Sequence, residues 1–277
     1  MNIDRTHRPN RPARRRALAV GLLALVLLAA TACQPGGPGT EPTVKAPPKS
    51  STATWQYQLQ GTVDESVAAD VFVIDGFDTP ASKVASLKRS GRYAVCYLST
   101  SFEDWRSDAS RFPAEVKGNP LDGWPGERWI DIRDLESLLP IFVARVDMCR
   151  DKGFDAVEFD NVDAYTQRTG FSISGSDQLR FNRLMAAVAR SRGLAAALKN
   201  DTDQVRDLVD HFDFAIVEEC VTWNECAAYR PFVDRGKSVF VVEYERSLDQ
   251  LCTVTRPLGF AGIVKTYDLK AKPWSAC

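Results

Sequence analysis

The sequence predicts an α/β fold, a (β/α)8 TIM barrel formed by a single domain, and three observations favour it. From Trp55 onward, short apolar runs alternate with stretches of helical periodicity. Most of these runs are continuously apolar, as expected of parallel strands that are covered on both faces. Eight such strands extend over about 220 residues, which lies within the size range of this fold.

The eight predicted strands are short and mostly apolar. They are Trp55–Leu59, Val71–Asp75, Tyr93–Leu98, Ala156–Asp160, Leu194–Lys199, Phe214–Glu218, Ser238–Glu243 and Gly262–Thr266. The helical stretches between them include Ala81–Arg89, Leu135–Asp151, Ser176–Arg192 and Asp203–Val209. Gly193 follows the third of these stretches, at the position where glycine commonly ends a helix.

Residues 1–32 predict a signal peptide of the lipoprotein type. Six arginines between Arg5 and Arg16 precede an apolar run, 17–30, that is shorter than a membrane-spanning helix needs. Small residues come directly before Cys33, and this arrangement resembles the cleavage site of a bacterial lipoprotein, although Ala30 stands where leucine is usual at such sites. We therefore expect lipidation of Cys33. The arginines also suit twin-arginine export, and the sequence leaves the two export routes open.

The predicted location of the protein is extracytoplasmic, anchored to the cell membrane through Cys33. A stretch rich in proline, glycine and threonine, 33–54, predicts a flexible tether to a domain that spans residues 55–277. Removal of residues 1–32 takes away six arginines and one aspartate, so the formal charge changes from −1 to −6. Because nucleic-acid recognition depends on a basic surface, we expect no nucleic-acid partner. We also expect the protein to be a monomer.

Six cysteines remain beyond Cys33, and an even number in an exported protein indicates disulfides. The short spacing between Cys220 and Cys226 suits a clamp on a local loop. A bond between Cys252 and Cys277 would tie down the C-terminal residues. The remaining pair, Cys96 and Cys149, is open to another interpretation, because Cys96 lies in an apolar strand where a free thiol is an ordinary core residue.

The sequence offers little for metal, cofactor or histidine chemistry. Only two histidines occur, and His7 lies in the predicted signal, whereas His211 precedes a strand and so belongs to the end of the barrel opposite the expected site. The spacings of a zinc site, a phosphate loop or a dinucleotide motif are missing from the sequence. We therefore expect no cofactor and no metal, and carboxylates remain as the reactive groups.

The stretch from Gly153 to Tyr165 concentrates acids at the end of an apolar strand. Side chains alternate along a strand, so Glu158 and Asp160 project to the same face. Burying two carboxylates there for packing alone is costly, which favours an active site at the rim of a barrel. The alternative interpretation is an aspartate that caps a loop beside a solvated glutamate.

Most other predicted strands also end in polar residues, and barrel enzymes build their sites from these ends. These residues include Asp75, Tyr97, Lys199, Asn200, Glu218, Glu219, Glu243 and Tyr244. A long insertion, 100–133, adds Trp124 beside glycine and proline, which is typical of a loop that offers aromatic rings to a ligand. The alternative for that ring is a small satellite core under the loop.

Several blocks in register resemble glycoside hydrolase family 114. They are VFVIDGFD from Val71, GWPGERW from Gly123, EFDNVDAY from Glu158, LKND from Leu198 and the Glu218–Cys220 segment. The resemblance covers essentially the whole domain from Trp55. It implies a TIM barrel and the activity of an endo-α-1,4-polygalactosaminidase, which cleaves internal α-1,4 linkages in polymers of galactosamine.

The resemblance also implies that Asp160 and Glu218 are the catalytic acids. Our mechanistic hypothesis is that Asp160 is the nucleophile and Glu218 the general acid and base. Glu219 departs from the usual pattern of the family at this block, and strand alternation would let only one of the two neighbouring glutamates point into the barrel. A retaining or an inverting course remains open, because it depends on the distance between the two carboxyls. The expected substrate-binding residues are Asp75, Tyr97, Trp124, Asp131, Glu158, Asn161, Asp163, Lys199, Asn200, Glu219, Glu243 and Tyr244.

Two other functions are compatible with the sequence. A surface lipoprotein could use the same barrel to bind a glycan without cleaving it, since a fold alone does not determine a function. A hydrolase could also act on another α-linked polysaccharide, because the acids indicate the class of reaction and the resemblance alone indicates the sugar.

Overall fold

The computed structural model describes residues 43–277, which form one sheet of nine strands surrounded by helices. In spatial order the strands are β1 (Trp55–Gln58), β2 (Val71–Asp75), β3 (Tyr93–Ser99), β7 (Ala156–Asp160), β8 (Ala195–Lys199), β9 (Phe214–Glu218), β10 (Ser238–Glu243), β11 (Ala261–Val264) and β12 (Ser275–Ala276). The first eight are parallel, and only β12 runs antiparallel, beside β11. The predicted (β/α)8 barrel and its eight strands are confirmed, with shifts of only one or two residues at some strand ends.

The sheet curls into a nearly closed barrel, in which side chains link β1 to β11. The indole nitrogen of Trp55 donates to the Ala261 carbonyl at 3.1 Å. Lys265 Nζ donates to Gln56 Oε1 at 3.0 Å, and the indole of Trp274 donates to the Trp55 carbonyl at 2.8 Å. Residues that follow β11 therefore complete the seam.

Helices cover the outside of the barrel and return the chain to each new strand. They are α1 (Ala81–Arg89), α2 (Leu135–Lys152), α3 (Gly175–Arg190), α4 (Val205–Leu208), α5 (Arg230–Asp234) and α6 (Leu248–Leu258). Helix α2 ends at Gly153, whose φ of 87° is a left-handed conformation that glycine adopts without strain. Ser174 begins α3 with a capping box, because its side chain and that of Asp177 each accept from the other's backbone N–H.

Strand alternation divides the buried residues into two layers. Inside the barrel, Trp55, Tyr57 and Phe240 belong to one apolar cluster. Between the strands and the helices lies a larger cluster, in which Phe142 of α2 packs edge-to-face against Phe181 of α3 at 5.7 Å between ring centroids. Both faces of each strand are therefore covered, which explains the continuous apolar runs in the sequence.

The insertion between β3 and α2 forms a small antiparallel sheet. Its strands are β4 (Phe102–Glu103), β5 (Lys117–Pro120) and β6 (Glu127–Ile130), with β6 in the middle. Arg145 of α2 lies beneath it and binds both carboxylate oxygens of Asp108 at 2.8 and 2.9 Å. The same guanidinium donates to the Ser99 carbonyl at 2.9 Å, so the insertion is anchored to the barrel.

Three disulfides confirm the predicted pairing. Cys96–Cys149 joins β3 to α2, and Cys220–Cys226 closes the loop after β9. Cys252–Cys277 joins α6 to the residues after β12. The first of these pairs, which the sequence left open, spans 53 positions of the chain.

Residues 45–54 lie against the barrel, which differs from the predicted flexible tether reaching Thr54. Ser50 Oγ donates to the Gly259 carbonyl at 2.8 Å, and the Tyr93 hydroxyl donates to the Lys45 carbonyl at 2.6 Å. The predicted signal peptide and Cys33 lie outside the described residues. Within residues 43–277, no helix has the length and apolar character needed to cross a membrane.

Candidate active site

The carboxyl ends of the barrel strands open into a groove with a volume of about 1510 Å³. Asp160 and Glu218, the last residues of β7 and β9, line it near its centre, and their side chains are 20% and 25% exposed. Trp105 and Trp124, from the insertion, line the same groove, and each is about half exposed. The groove thus combines two accessible carboxylates with exposed aromatic faces.

Asp160 accepts three hydrogen bonds in the groove. The Tyr97 hydroxyl donates to Oδ2 at 2.8 Å. The backbone N–H of Asn161 and the ammonium of Lys199 donate to Oδ1 at 2.8 and 3.1 Å. Asn161 leaves the strand with a φ of 62°, and this turn at the end of β7 brings its N–H beside the preceding carboxylate.

Glu218 has two side-chain partners on neighbouring elements, one in a hydrogen bond and one in an ion pair. The hydroxyl of Tyr244, which follows β10, donates to Oε1, and the Lys199 ammonium lies 3.2 Å from Oε2. Asn200 Oδ1 accepts from the Glu218 backbone N–H at 2.9 Å, which holds the end of β9 against the end of β8. Each of the two acids therefore accepts from a tyrosine hydroxyl and lies within ion-pair distance of the same ammonium group.

Lys199 lies between the two acids and is only 1% exposed. Because its Nζ is 3.1 Å from Asp160 Oδ1 and 3.2 Å from Glu218 Oε2, these two oxygens are separated by no more than the sum of the distances, about 6.3 Å. Burial alone would lower the pKa of the ammonium, but the surrounding carboxylates, Asp160 first, outweigh burial and raise it. The lysine therefore carries its positive charge between two acids.

Glu158 and Tyr57 lie beneath Lys199, toward the barrel interior. The Tyr57 hydroxyl accepts from Lys199 Nζ at 3.0 Å and donates to Glu158 Oε1, also at 3.0 Å. Burial raises the pKa of Glu158 to about 7, although the Lys199 charge opposes that shift. Both side chains are fully buried, and of the two only Tyr57 lines the groove.

Glu218 and Glu219 both line the groove, contrary to the expectation that strand alternation would exclude one of them. Strand β9 ends at Glu218, and the φ of 57° at Glu219 turns that side chain back toward the groove. Glu219 accepts from the Tyr267 hydroxyl at 2.8 Å, whereas Glu218 faces Lys199. The two acids consequently have different partners.

Most of the sequence-predicted site residues line this groove. They are Asp75, Tyr97, Trp124, Asp160, Asn161, Asp163, Lys199, Asn200, Glu218, Glu219 and Tyr244. Asp75 is already paired there, because the Arg106 guanidinium binds its two oxygens at 3.1 and 2.7 Å.

Three expected substrate-binding residues lie outside the groove, and these expectations are corrected. Asp131 binds the guanidinium of Arg133 at 2.7 and 2.8 Å. Glu158 is fully buried beneath Lys199. Glu243 is fully buried and accepts from the Val221 backbone N–H at 2.7 Å, so it holds the loop after β9.

Sequence reasoning missed several groove residues, among them Tyr57, Glu127 and Tyr267. Glu127 belongs to the GWPGERW block and could have been singled out there. It accepts from the Ser101 hydroxyl at 2.7 Å, and burial raises its pKa to about 7. Nothing in the sequence distinguishes Tyr57, because an aromatic residue in an apolar strand usually belongs to the hydrophobic core.

The groove is strongly acidic, with ten acids and four bases among its lining residues. Within residues 43–277, the structure has no group of three histidine, cysteine, aspartate or glutamate side chains placed to hold a metal ion. Two carboxylates less than about 6.3 Å apart, each with fixed donors, can act as nucleophile and as general acid and base in glycoside hydrolysis.

Comparison with known proteins identifies the family. Residues 38–277 match glycoside-hydrolase family GH114. The chain is similar to Ega3 from Aspergillus fumigatus, solved in complex with galactosamine, with a TM-score of 0.80 and 32% identity over 86% of this chain and 100% of that one. The glycoside hydrolase domain of PelA from Pseudomonas aeruginosa shares the fold, with a TM-score of 0.61 and 15% identity over 80% of this chain and 97% of that domain.

A relative from Deinococcus radiodurans, described as an uncharacterized protein, is 26% identical over 236 residues, which are 73% of this chain and 76% of that protein. The family match covers every barrel strand and the two acids that flank Lys199, Asp160 and Glu218. This chain therefore belongs to glycoside-hydrolase family GH114 and is a glycoside hydrolase.

Proposed function

We propose that this enzyme cleaves internal α-1,4 linkages of a galactosamine-containing polysaccharide, using Asp160 and Glu218 as its catalytic pair. The observation that carries this proposal is the geometry around Lys199, which holds both carboxylates at one point of an open groove. The similarity to Ega3, whose structure contains galactosamine, supports the choice of sugar.

The mechanism assigns attack on the anomeric carbon to Asp160. Three donors stabilise its charged form, whereas Glu218 has one hydrogen-bond donor, Tyr244, and an ion pair with Lys199. Glu218 protonates the glycosidic oxygen as its bond to the anomeric carbon breaks, and a covalent bond forms between that carbon and Asp160. Glu218 then takes a proton from water, and the resulting hydroxide displaces Asp160.

The distance between the acids supports retention of configuration at the anomeric carbon. Asp160 Oδ1 and Glu218 Oε2 are at most about 6.3 Å apart, which favours the shorter carboxyl separation of a retaining enzyme over the roughly 6.5–9.5 Å of an inverting one. A retaining enzyme typically separates its carboxyls by about 5–5.5 Å. NMR observation of the first-formed anomer would test this course, and a β-anomer released from an α-linked polymer would contradict it.

The charge and size of the groove support a cationic polymer as substrate. Ten acids against four bases favour protonated amino groups over neutral sugars. A volume of about 1510 Å³ exceeds the roughly 300–1,000 Å³ of a cleft for a small ligand, which supports binding of several sugar units. We expect the KM for a galactosamine polymer to rise with salt concentration, because salt screens this attraction.

The decisive experiment measures chain cleavage. Purified protein is incubated with α-1,4-linked galactosamine polymer, and the products are sized by mass spectrometry. Asp160→Asn and Glu218→Gln should each lower turnover by several orders of magnitude, whereas Asp131→Asn, outside the groove, should not. Binding of the polymer without any fragments from the wild-type protein would instead favour the non-catalytic glycan-binding function.

The proposed location is extracytoplasmic, with a lipid anchor on Cys33. The three disulfides support an oxidising compartment. Mass spectrometry of the protein isolated from membranes should show a lipid-modified Cys33 at its N-terminus. Cys33→Ser should release the protein from the membrane fraction, and its retention there would contradict the anchor.

A further inference from the structure

Lys199 has more acceptors around it than it has protons to donate. An ammonium group carries three N–H bonds. Its Nζ lies 3.0 Å from the Tyr57 hydroxyl, 3.1 Å from Asp160, 3.2 Å from Glu218 and 3.4 Å from Glu158. Lys199 donates hydrogen bonds to Tyr57 and to Asp160, whereas the carboxylates of Glu218 and Glu158 lie at ion-pair distance.

Glu158 instead determines the orientation of the Tyr57 hydroxyl. That hydroxyl donates its only proton to Glu158 Oε1 at 3.0 Å, so its lone pairs face Lys199. The ring of Tyr57 is fully buried and contacts the rings of Trp55 and Tyr97, with centroids 5.7 and 6.3 Å away. The Tyr57 hydroxyl oxygen, which accepts from Lys199, is therefore held in a fixed position.

We infer that Tyr57, oriented by Glu158, is a positioning residue that holds Lys199 midway between the two catalytic carboxylates. One N–H is committed to Tyr57 and a second to Asp160, which keeps the charged ammonium 3.2 Å from Glu218 Oε2. This inference deepens the proposed function and rests on it for the catalytic roles of those two acids. Tyr57 itself touches neither of them in the hydrogen-bond network and acts through the lysine.

Loss of the Tyr57 hydroxyl should redirect the lysine toward Glu158. Glu158 Oε1 is already 3.4 Å from Nζ, and Oε2 is buried without a partner. Above about pH 7, where Glu158 is mostly ionised, its carboxylate should attract the ammonium group strongly, because both are shielded from water. The lysine would then move away from Asp160, from Glu218 or from both.

The alternative is that Tyr57 only fills the barrel interior. Tyr93 provides a matched control, because it belongs to the same interior cluster and is 2% exposed. Its hydroxyl donates to the Lys45 carbonyl at the other end of the barrel, away from the two acids. Tyr93→Phe thus removes a buried hydroxyl without disturbing Lys199.

The experiment compares kinetics on α-1,4-linked galactosamine polymer for the wild type and for three variants. A displacement of about 1 Å in a catalytic group can cost on the order of 100-fold in rate. Tyr57→Phe should lower kcat by about 10- to 100-fold with KM changed less than twofold, while Tyr93→Phe keeps the wild-type kcat. Adding Glu158→Gln to Tyr57→Phe should recover part of the lost kcat, because a neutral amide attracts the ammonium less.

Crystal structures of the wild type and Tyr57→Phe test the inference without any substrate. Lys199 Nζ should lie closer to Glu158 in the variant and farther from at least one of the two acids. An unmoved Nζ, an equal loss of kcat in Tyr93→Phe, or a double variant no faster than Tyr57→Phe would each overturn the inference. If the wild-type protein cleaves no polymer, the proposed function fails, and the position of Nζ still decides whether Tyr57 positions the lysine.

Discussion

Tyr97 donates its hydroxyl proton to Asp160 Oδ2 at 2.8 Å from the adjacent strand. Strands β3 and β7 pair so that Tyr97 lies opposite Glu158, two residues before Asp160, which brings the long tyrosine side chain level with the carboxylate. Tyr244, which follows β10, likewise donates its hydroxyl proton to Glu218 Oε1. Burial raises the pKa of both tyrosines, so both remain donors at neutral pH.

Tyr97→Phe removes one of the three donors to Asp160. A hydrogen bond to a charged group contributes about 1.5–3 kcal/mol, and about 1.4 kcal/mol corresponds to a factor of ten. We therefore expect kcat to fall by about 10- to 100-fold. Steady-state kinetics on the polymer measures this effect, with Tyr267→Phe, which contacts Glu219 instead, as the control. Equal rates for the wild type and Tyr97→Phe would show that this donor is unimportant.

Glu218 and Glu219 should respond differently to the same substitution. Glu218→Gln removes the acid beside Lys199 and should abolish nearly all turnover. Glu219→Gln leaves that pair intact and should mainly raise KM, since its carboxylate faces the groove and Tyr267. The test is the ratio of the two effects on kcat. A larger loss for Glu219→Gln would transfer the role of general acid to Glu219.

Asp75 should matter for stability through its pairing with Arg106. Both side chains are almost completely buried, and removing one partner of a buried ion pair costs about 3–5 kcal/mol. Arg106 keeps a second partner in Glu103 at 2.9 Å, so we expect about 3 kcal/mol for Asp75→Asn. Urea unfolding measures the free energy of unfolding, and Asp268→Asn, at an exposed pair, is the control that should change it little.

Asp201 should make the stability of the fold depend on pH. Burial, followed by the nearby Asp163 charge, raises its pKa from 3.8 to about 8. The folded state therefore binds a proton that the unfolded state releases above about pH 4. The resulting stabilisation is complete below that pH and is lost as the pH rises to about 8, with a slope of up to about 1.4 kcal/mol per pH unit.

Asp201→Asn should remove this contribution to the pH dependence. Asparagine tolerates the φ of 55° at this position, so the backbone need not change. Urea unfolding between pH 5 and 8 should give a flatter profile for Asp201→Asn than for the wild type. Asp203→Asn, at a neighbouring exposed acid, should retain the wild-type slope, and a parallel pair of profiles for Asp201→Asn and the wild type would contradict the assignment.

The sequence predicted the barrel well because each strand carries its own signal. Ala156–Asp160 and Phe214–Glu218 are observed with the predicted bounds, since apolar runs flanked by polar residues mark buried parallel strands. The insertion sheet was not predicted. Its strand β4 has only two residues, too few for any periodicity, and its register depends on tertiary contacts.

The candidate site was predictable only in its outline. Polar strand ends indicated which side chains share the groove, but they could not show which are already paired. Asp131 is occupied by Arg133, two residues later, and Glu243 by backbone N–H groups of a distant loop. Tyr57 was not predicted as a site residue, because its role depends on its hydrogen bond with Lys199, which lies 142 positions away in the sequence.

The residues that precede β1 contact the barrel at the end opposite the groove. Ser50 Oγ donates to the carbonyl of Gly259, just before β11, and the Ser50 backbone N–H donates to Ser238 Oγ, at the start of β10. If Cys33 carries the proposed lipid anchor, attachment from this end would leave the mouth of the groove facing away from the membrane. A long polysaccharide would then enter and leave the groove without obstruction by the lipid surface.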